Sequence, residues 1–262
     1  MKYQLLLLFL LCSVLLTGQN SDAELFEQKT DIVIDKGKLT KSYSFLIRIN
    51  NRNGEDYTKI SIPFSKISKI SKLEASVLNQ NCKLVRKLKN SEITERSYIS
   101  NHSFYEDDYL KEFTLRHNVY PYFISYSYQI QESDFFTIEN WIPILDSGIA
   151  TRNAELTLTV PNDYVIHYRN TEIEPPIVEQ NSGKKTTVYK WKASYTTPIK
   201  RESLAPVAYR FMPSVYIVAE QFKFHHKGSL ASWDDFNKWI FKLNKGTDVL
   251  PESEKQIISS SI

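Results

Sequence analysis

Glycine is scarce in this chain, 7 in 262 residues, too few to favour a glycine-rich loop that cradles phosphate. Cysteine is scarcer still: Cys12 lies in the N-terminal apolar run, and Cys82 stands alone after it. One thiol cannot close an internal disulfide, so stability has to come from a packed core. Charge of one sign is also missing. With 33 basic and 30 acidic residues the net charge is +3, and removing Lys2 with the leader leaves 32 against 30. A nucleic-acid binder needs a concentrated basic excess, so none is expected here. After residue 18 no uninterrupted apolar stretch reaches the roughly 20 residues of a membrane-spanning helix.

What the chain does have begins at its N-terminus. Lys2 precedes the run Leu5 to Leu16, which ends in the small residues Thr17 and Gly18. A charged start, a short apolar stretch and a small-residue exit read as a cleavable secretory signal over 1–18, leaving Gln19 first. Leu11 stands where lipoprotein processing before Cys12 would need a small residue, so a lipid anchor is not expected. The mature protein is therefore expected to be periplasmic or secreted, with no transmembrane segment.

Downstream the dominant period is two. Ile32 and Ile34, then Tyr43, Phe45, Ile47 and Ile49, alternate with polar neighbours, the mark of half-buried strands. Asn79-Gln80-Asn81-Cys82 supplies turn chemistry between two apolar segments, which predicts a hairpin. Tyr122, Ile124, Tyr126, Tyr128 and Ile130 form an aromatic-rich strand, since aromatic side chains pack well on a pleated surface. Ser65 to Leu73 repeats every three residues and reads as an irregular crossing, and polar Ser91 to Asp108 reads as a surface excursion. After Trp141-Ile142-Pro143 alternation returns in Leu156, Leu158 and Val160, in Tyr189, Trp191 and Ala193, and in Val215, Ile217 and Ala219. The pattern predicts a mainly β fold, a β-sandwich of mostly antiparallel strands over 19–229.

The end differs. Ser232 before Trp233-Asp234-Asp235 resembles a capping box, and Trp233, Phe236, Ile240 and Leu243 recur at helical spacing until Gly246. Pro251-Glu252-Ser253 opens what reads as a second helix carrying Ile257 and Ile258. Residues 230–262 are thus expected to be a helical linker toward a further domain.

Several landmarks in order resemble a known bacterial family. They are Ala75-Ser76-Val77, Asn81-Cys82-Lys83, Asp107-Asp108 before Phe113, Tyr126-Ser127-Tyr128, Trp141-Ile142-Pro143, Leu156 to Pro161, Tyr189-Lys190-Trp191, Glu202 with Pro206, Pro213-Ser214-Val215, and Ser232-Trp233 with Phe236 and Trp239. From about residue 30 to 250 the chain resembles domain of unknown function 3857, the N-terminal β-rich module of exported bacterial transglutaminase-like proteins. The resemblance implies that the papain-like Cys, His and Asp lie C-terminal to the matched region, so it carries no catalytic residue onto this chain. It also implies a transglutaminase-like domain as a partner. Where the family's hairpin usually has Gly before Lys, this chain has Cys82, at a cost of about 1 kcal/mol if the turn needs positive φ.

Candidate sites have plain alternatives. Cys82 could act as a nucleophile with His102 or His117, or be a hairpin thiol, and the hairpin reading is preferred because no local pattern supplies a base. His225 and His226 are adjacent on a strand and point to opposite faces, so they read as surface residues and no metal is expected. Glu106-Asp107-Asp108 lacks the spacing of a calcium loop and reads as a solvated acidic segment. Most aromatics fall at core positions. Tyr105, Tyr109, Tyr120 and Tyr122 are the least explained by a core and are the candidates for a face that stacks on a cell-envelope glycan or peptide. No cofactor and no enzymatic activity are expected of this segment. The leading reading is a scaffold or substrate-presenting module; the alternatives are an independent glycan- or peptide-binding module and an enzyme centred on Cys82.

Overall fold

A computed structural model describes residues 21–98, 108–146, 148–198 and 212–246. The expected signal over 1–18 and the expected second helix from Pro251 lie outside the described residues.

Two long strands start the fold, β1 (Ala23–Asp35) and β2 (Lys38–Ile49). They are joined by Lys36 and Gly37, whose φ values of 48° and 75° make the two-residue turn that suits the twist of antiparallel strands. A 3-10 helix (Arg52–Thr58) leads to β3 (Lys59–Ser65), β4 (Lys69–Leu78) and β5 (Leu84–Lys87). Then come β6 (Thr94–Tyr98), β7 (Asp108–Thr114), β8 (Tyr122–Glu132) and β9 (Phe135–Trp141). The remaining strands are β10 (Ala150–Pro161), β11 (Ile166–Thr171), β12 (Ile177–Asn181), β13 (Thr186–Tyr195), β14 (Ser214–Phe224) and β15 (His226–Ser229). Helix α1 (Trp233–Asn244) follows, its first turn capped by the Ser232 hydroxyl, which accepts from the Asp235 amide at 3.1 Å. Among the described residues no helix is long and apolar enough to cross a membrane.

The architecture is a mainly β sandwich. Eight strands form one sheet in the order β12-β13-β10-β1-β2-β8-β4-β5, antiparallel except where β1 runs parallel to β10. A four-stranded sheet (β11, β14, β15, with β9 on β14) and a three-stranded sheet (β3-β7-β6) complete it. Residues opposite one another in a ladder share a face, so the register places Leu39, Tyr43, Phe45, Ile47 and Ile49 of β2 on one side with Ile32, Ile34, Thr30 and Gln28 of β1. A bulge between Leu25 and Glu27 shifts the alternation by one and keeps Leu25 on that same side.

This single face serves two cores. In the first, Ile32, Ile34, Leu39, Leu156, Leu158 and Trp191 meet Ile138 and Trp141 of β9, Val215 and Ile217 of β14, and Trp239 of α1. In the second, Leu25, Phe45, Ile47, Val77, Ile124 and Tyr126 meet Ile60 and Ile62 of β3 and Phe113 of β7. Polar groups mark the ground between. The Tyr43 phenol donates to Glu139 of β9 at 2.5 Å and stacks on Tyr128 at 4.9 Å, while Lys41 pairs with Glu132 at 3.5 Å, both side chains largely buried.

Two sequence expectations change here. Ser65 to Leu73 is not an irregular crossing: Ser65–Ser68 is a tight turn and β4 has begun by Lys69. The three-residue period arises because a bulge at Lys72, with φ 51°, shifts the strand's alternation. The excursion from Ser91 contains β6, whose five side chains are all exposed. It is held by backbone pairing to β7, so it leaves no apolar alternation to read.

Burial raises the phenol pKa of Tyr43, Tyr126 and Tyr128 well above the ordinary 10, and the nearby Glu139 carboxylate adds to the effect at Tyr43 and Tyr128. The folded protein then holds protons that the unfolded chain releases near pH 10. Stability is expected to be flat below about pH 9 and to fall from pH 10 upward, by about 1.4 kcal/mol per pH unit for each phenol still protonated. Denaturation midpoints between pH 8 and 11.5, with phenolate absorbance followed alongside, check this.

Candidate functional site

The turn Ser65–Ser68 joins the three-stranded sheet to the eight-stranded one, and recesses open on both sides of it. The Ser65 hydroxyl accepts from the amides of Ile67 at 3.3 Å and Ser68 at 3.2 Å, so the loop is tied down by its own side chain.

On one side lies a groove of about 360 Å³ between this turn and the four-stranded sheet. Its lining includes the aromatic side chains of Phe136, Phe224 and Trp239, exposed Ile67 of the turn, and Glu132 and Asp134. The Trp239 indole N–H donates to the Phe224 carbonyl at 3.2 Å, and its ring lies parallel to Phe136 at 6.1 Å. Gly228 makes this packing possible, because a Cβ there would stand 2.5 Å from the Phe222 ring and 2.8 Å from Trp239. Both carboxylates are engaged: Glu132 with Lys41, and Asp134 with the His225 amide at 3.0 Å and Lys223 at 3.8 Å. What remains open is mainly aromatic and suited to stacking on a flat or apolar group.

On the other side a mouth of about 290 Å³ opens between the three-stranded and eight-stranded sheets. Phe64 and Tyr109 are cross-strand partners with rings 5.5 Å apart, Lys111 sits 5.2 Å over the Phe64 ring, and Ile70 lies opposite. Lys111 also pairs with Glu95.

The four candidate tyrosines separate. Tyr109 lines this mouth, half-buried. Tyr120 is half-buried away from it, and its phenol donates to Glu55, which pushes its pKa up to about 12. Tyr122 is a correction: it is fully buried in the second core and offers no surface. It faces Ile49 across the β2–β8 ladder, and the alternation it shares with Ile124 and Tyr126 carries it inward. Tyr105 lies outside the described residues, as do His102, Glu106 and Asp107. The wall residues Phe136 and Trp239 were not foreseen as a site, because they come from distant elements and each reads locally as core.

Cys82 stands exposed at the β4–β5 turn, with its amide donating to the Asn79 carbonyl at 2.9 Å. The Asn79 side-chain oxygen accepts from the amides of Asn81 and Lys83, both at 3.0 Å, and closes the turn. His117 is packed edge-on against Tyr122 at 5.6 Å, and His225 occupies the positive-φ turn between β14 and β15. Among the described residues no group of three or more His, Cys, Asp or Glu could hold a metal ion.

Three sheets in this arrangement define a mainly β module of sandwich type. The family model for domain of unknown function 3857, a domain of unknown function with a solved structure, matches residues 35–200, and the chain belongs to that family. A solved structure of a putative protease from Parabacteroides distasonis shares the fold, with a TM-score of 0.64 and 12% identity over 75% of this chain. This chain spans 40% of the length of that protein. An aminopeptidase A from Legionella pneumophila, solved in complex with aspartic acid, aligns at 11% identity with a TM-score of 0.36, over 78% of this chain and 22% of that one. No curated protein matches the sequence.

Cys82 has φ 57°, the left-handed region that a Cβ penalises. Cys82→Gly is expected to raise stability by about 0.5–1 kcal/mol, whereas Cys82→Ala stays within about 0.5 kcal/mol of the parent. Urea denaturation of the three proteins side by side measures both differences.

Proposed function

We propose that this chain is an exported, non-catalytic β-sandwich module that supports or presents substrate to a peptide-acting, transglutaminase-like domain. The observation that supports the reading is the shared fold with a putative protease, of which this chain spans 40%. The N-terminal run from Leu5 to Gly18 supports export. The position of Cys82 on an exposed turn, tied by backbone contacts to Asn79, supports a thiol without a catalytic role. A nucleophilic thiolate needs a positioned base and oxyanion donors.

A second reading, an independent periplasmic glycan- or peptide-binding module, draws on the groove walled by Phe136, Phe224 and Trp239. Stacking on such a wall would be reported by a change in indole fluorescence that is lost in Trp239→Phe.

Expression of the full chain in a bacterial host tests the leading reading in two measurements. The exported protein is expected outside the cytoplasm with Gln19 as its first residue, and purified protein is expected to leave amide substrates intact with or without Cys82. Retention in the cytoplasm with residues before Thr17 intact would remove the export claim. Amide hydrolysis or transfer that falls roughly 10⁴-fold in Cys82→Ala would make the chain a thiol enzyme instead.

A further inference from the structure

Strand β5 covers only one end of β4. Its register pairs Ser76 with Lys87, Val77 with Arg86 and Leu78 with Leu84, and the last rung is the Leu88 amide donating to the Ala75 carbonyl at 2.8 Å. Beyond Lys87 the chain leaves the sheet for a 3-10 turn at Asn90–Glu92. A notch of about 300 Å³ remains beside β4, small but within the range of ligand-sized cavities.

The walls of this notch carry an unusual set of polar groups. Ladder partners share a face, so Ser127 lies beside Glu74, and Ser125 beside Ser76, which in turn lies beside Lys87. Glu74 and Lys87 are therefore diagonal neighbours across Ser76, with Cβ atoms about 7–8 Å apart. Among the described residues, neither makes an ion pair, and the hydroxyls of Ser76, Ser125 and Ser127 and the Asn90 amide make no hydrogen bond. Some charges elsewhere on the surface are matched, among them Arg86 with Glu92, Arg96 with Glu112, Lys190 with Glu179 and Arg152 with Glu24. Others among the described residues, such as Lys38, Lys185 and Glu174, stand free as Glu74 and Lys87 do; what sets this pair apart is its place on the two sides of one notch. Half-buried Leu73, Leu88 and Ile93 add an apolar rim.

From this arrangement we infer that the notch between β4 and β5 binds a short peptide with free termini. The ligand's ammonium group sits at Glu74, its carboxylate at Lys87, its amides on the serine hydroxyls, and its side chains against Leu73 and Leu88. Two or three residues span the gap, since an extended chain covers about 3.3–3.6 Å per residue. A neutral saccharide would use the hydroxyls but leave both charges without a counterpart, so the pair of opposite charges selects the zwitterion. This site lies away from the groove and the mouth flanking Ser65–Ser68, and it requires neither export nor an attached domain.

The test uses the full chain, isotopically labelled, titrated with tri-alanine and followed by amide NMR. Saturable shifts are expected at Glu74 to Val77, Lys87 to Asn90 and Ser125 to Ser127. Glu74→Gln and Lys87→Gln are each expected to weaken binding by about threefold to fivefold, the size of an exposed ion pair. Acetyl-tri-alanine amide, which has no terminal charge, should bind more weakly than tri-alanine to the parent and equally to all three proteins. Both substitutions are at exposed positions, and unchanged circular dichroism checks that the variants fold. Absence of saturable shifts, equal affinity for capped and free tri-alanine, or chitotriose binding at these residues in place of tri-alanine would each overturn the inference.

Discussion

One face of an eight-stranded sheet has to be hidden from water, and everything else in the molecule is arranged around that requirement. β1 and β2 are 13 and 12 residues long, about twice the usual strand, and at about 3.3 Å per residue β1 extends roughly 40 Å. The apolar face is covered by two small sheets side by side. The first takes the Ile32, Leu39 and Leu158 end with β9 and β14; the second takes the Leu25, Ile47 and Val77 end with β3 and β7.

Two covers on one sheet leave ground between them, and that ground is where buried polar contacts and the aromatic groove lie. The Tyr43–Glu139 hydrogen bond ties the first cover to the sheet where β2 passes from one core to the other, and Lys41–Glu132 lies beside it. The aromatic groove opens just above, between the Ser65–Ser68 turn of one cover and the Phe136–Trp239 wall of the other. Its shape therefore depends on how the two small sheets sit on the large one. α1 reinforces that wall with Trp239 while leaving Trp233 and Phe241 exposed, 82% and 73%.

Much of this was legible in the sequence, and the gaps have physical causes. Strands with one buried face, such as Tyr43 to Ile49 and Leu156 to Val160, announce themselves by alternation. So does the capped helix after Ser232. β6 and β12 do not, because all their side chains are exposed and they are held by backbone pairing and surface ion pairs rather than by a buried face. The parallel contact of β1 with β10 joins segments far apart in sequence, which no local pattern encodes. Tyr122 misled because in sequence it groups with Tyr120 across Pro121; the ladder with β2, not its sequence neighbours, carries it inside. The Cys82 turn was placed correctly, but its positive φ emerged only with the backbone.

Cooperativity between the two cores is the property on which the shared-sheet architecture stands or falls. Three of the four tryptophans, Trp141, Trp191 and Trp239, are buried in the first core and the fourth is on α1, so indole fluorescence reports that half alone. Far-ultraviolet circular dichroism reports the whole sheet. Urea titrations followed by both signals should superimpose, with one midpoint and one slope, because β1 and β2 cannot leave one core without disrupting the other. A fluorescence transition clearly separated from the dichroism transition would contradict this and make the two halves independent folding units.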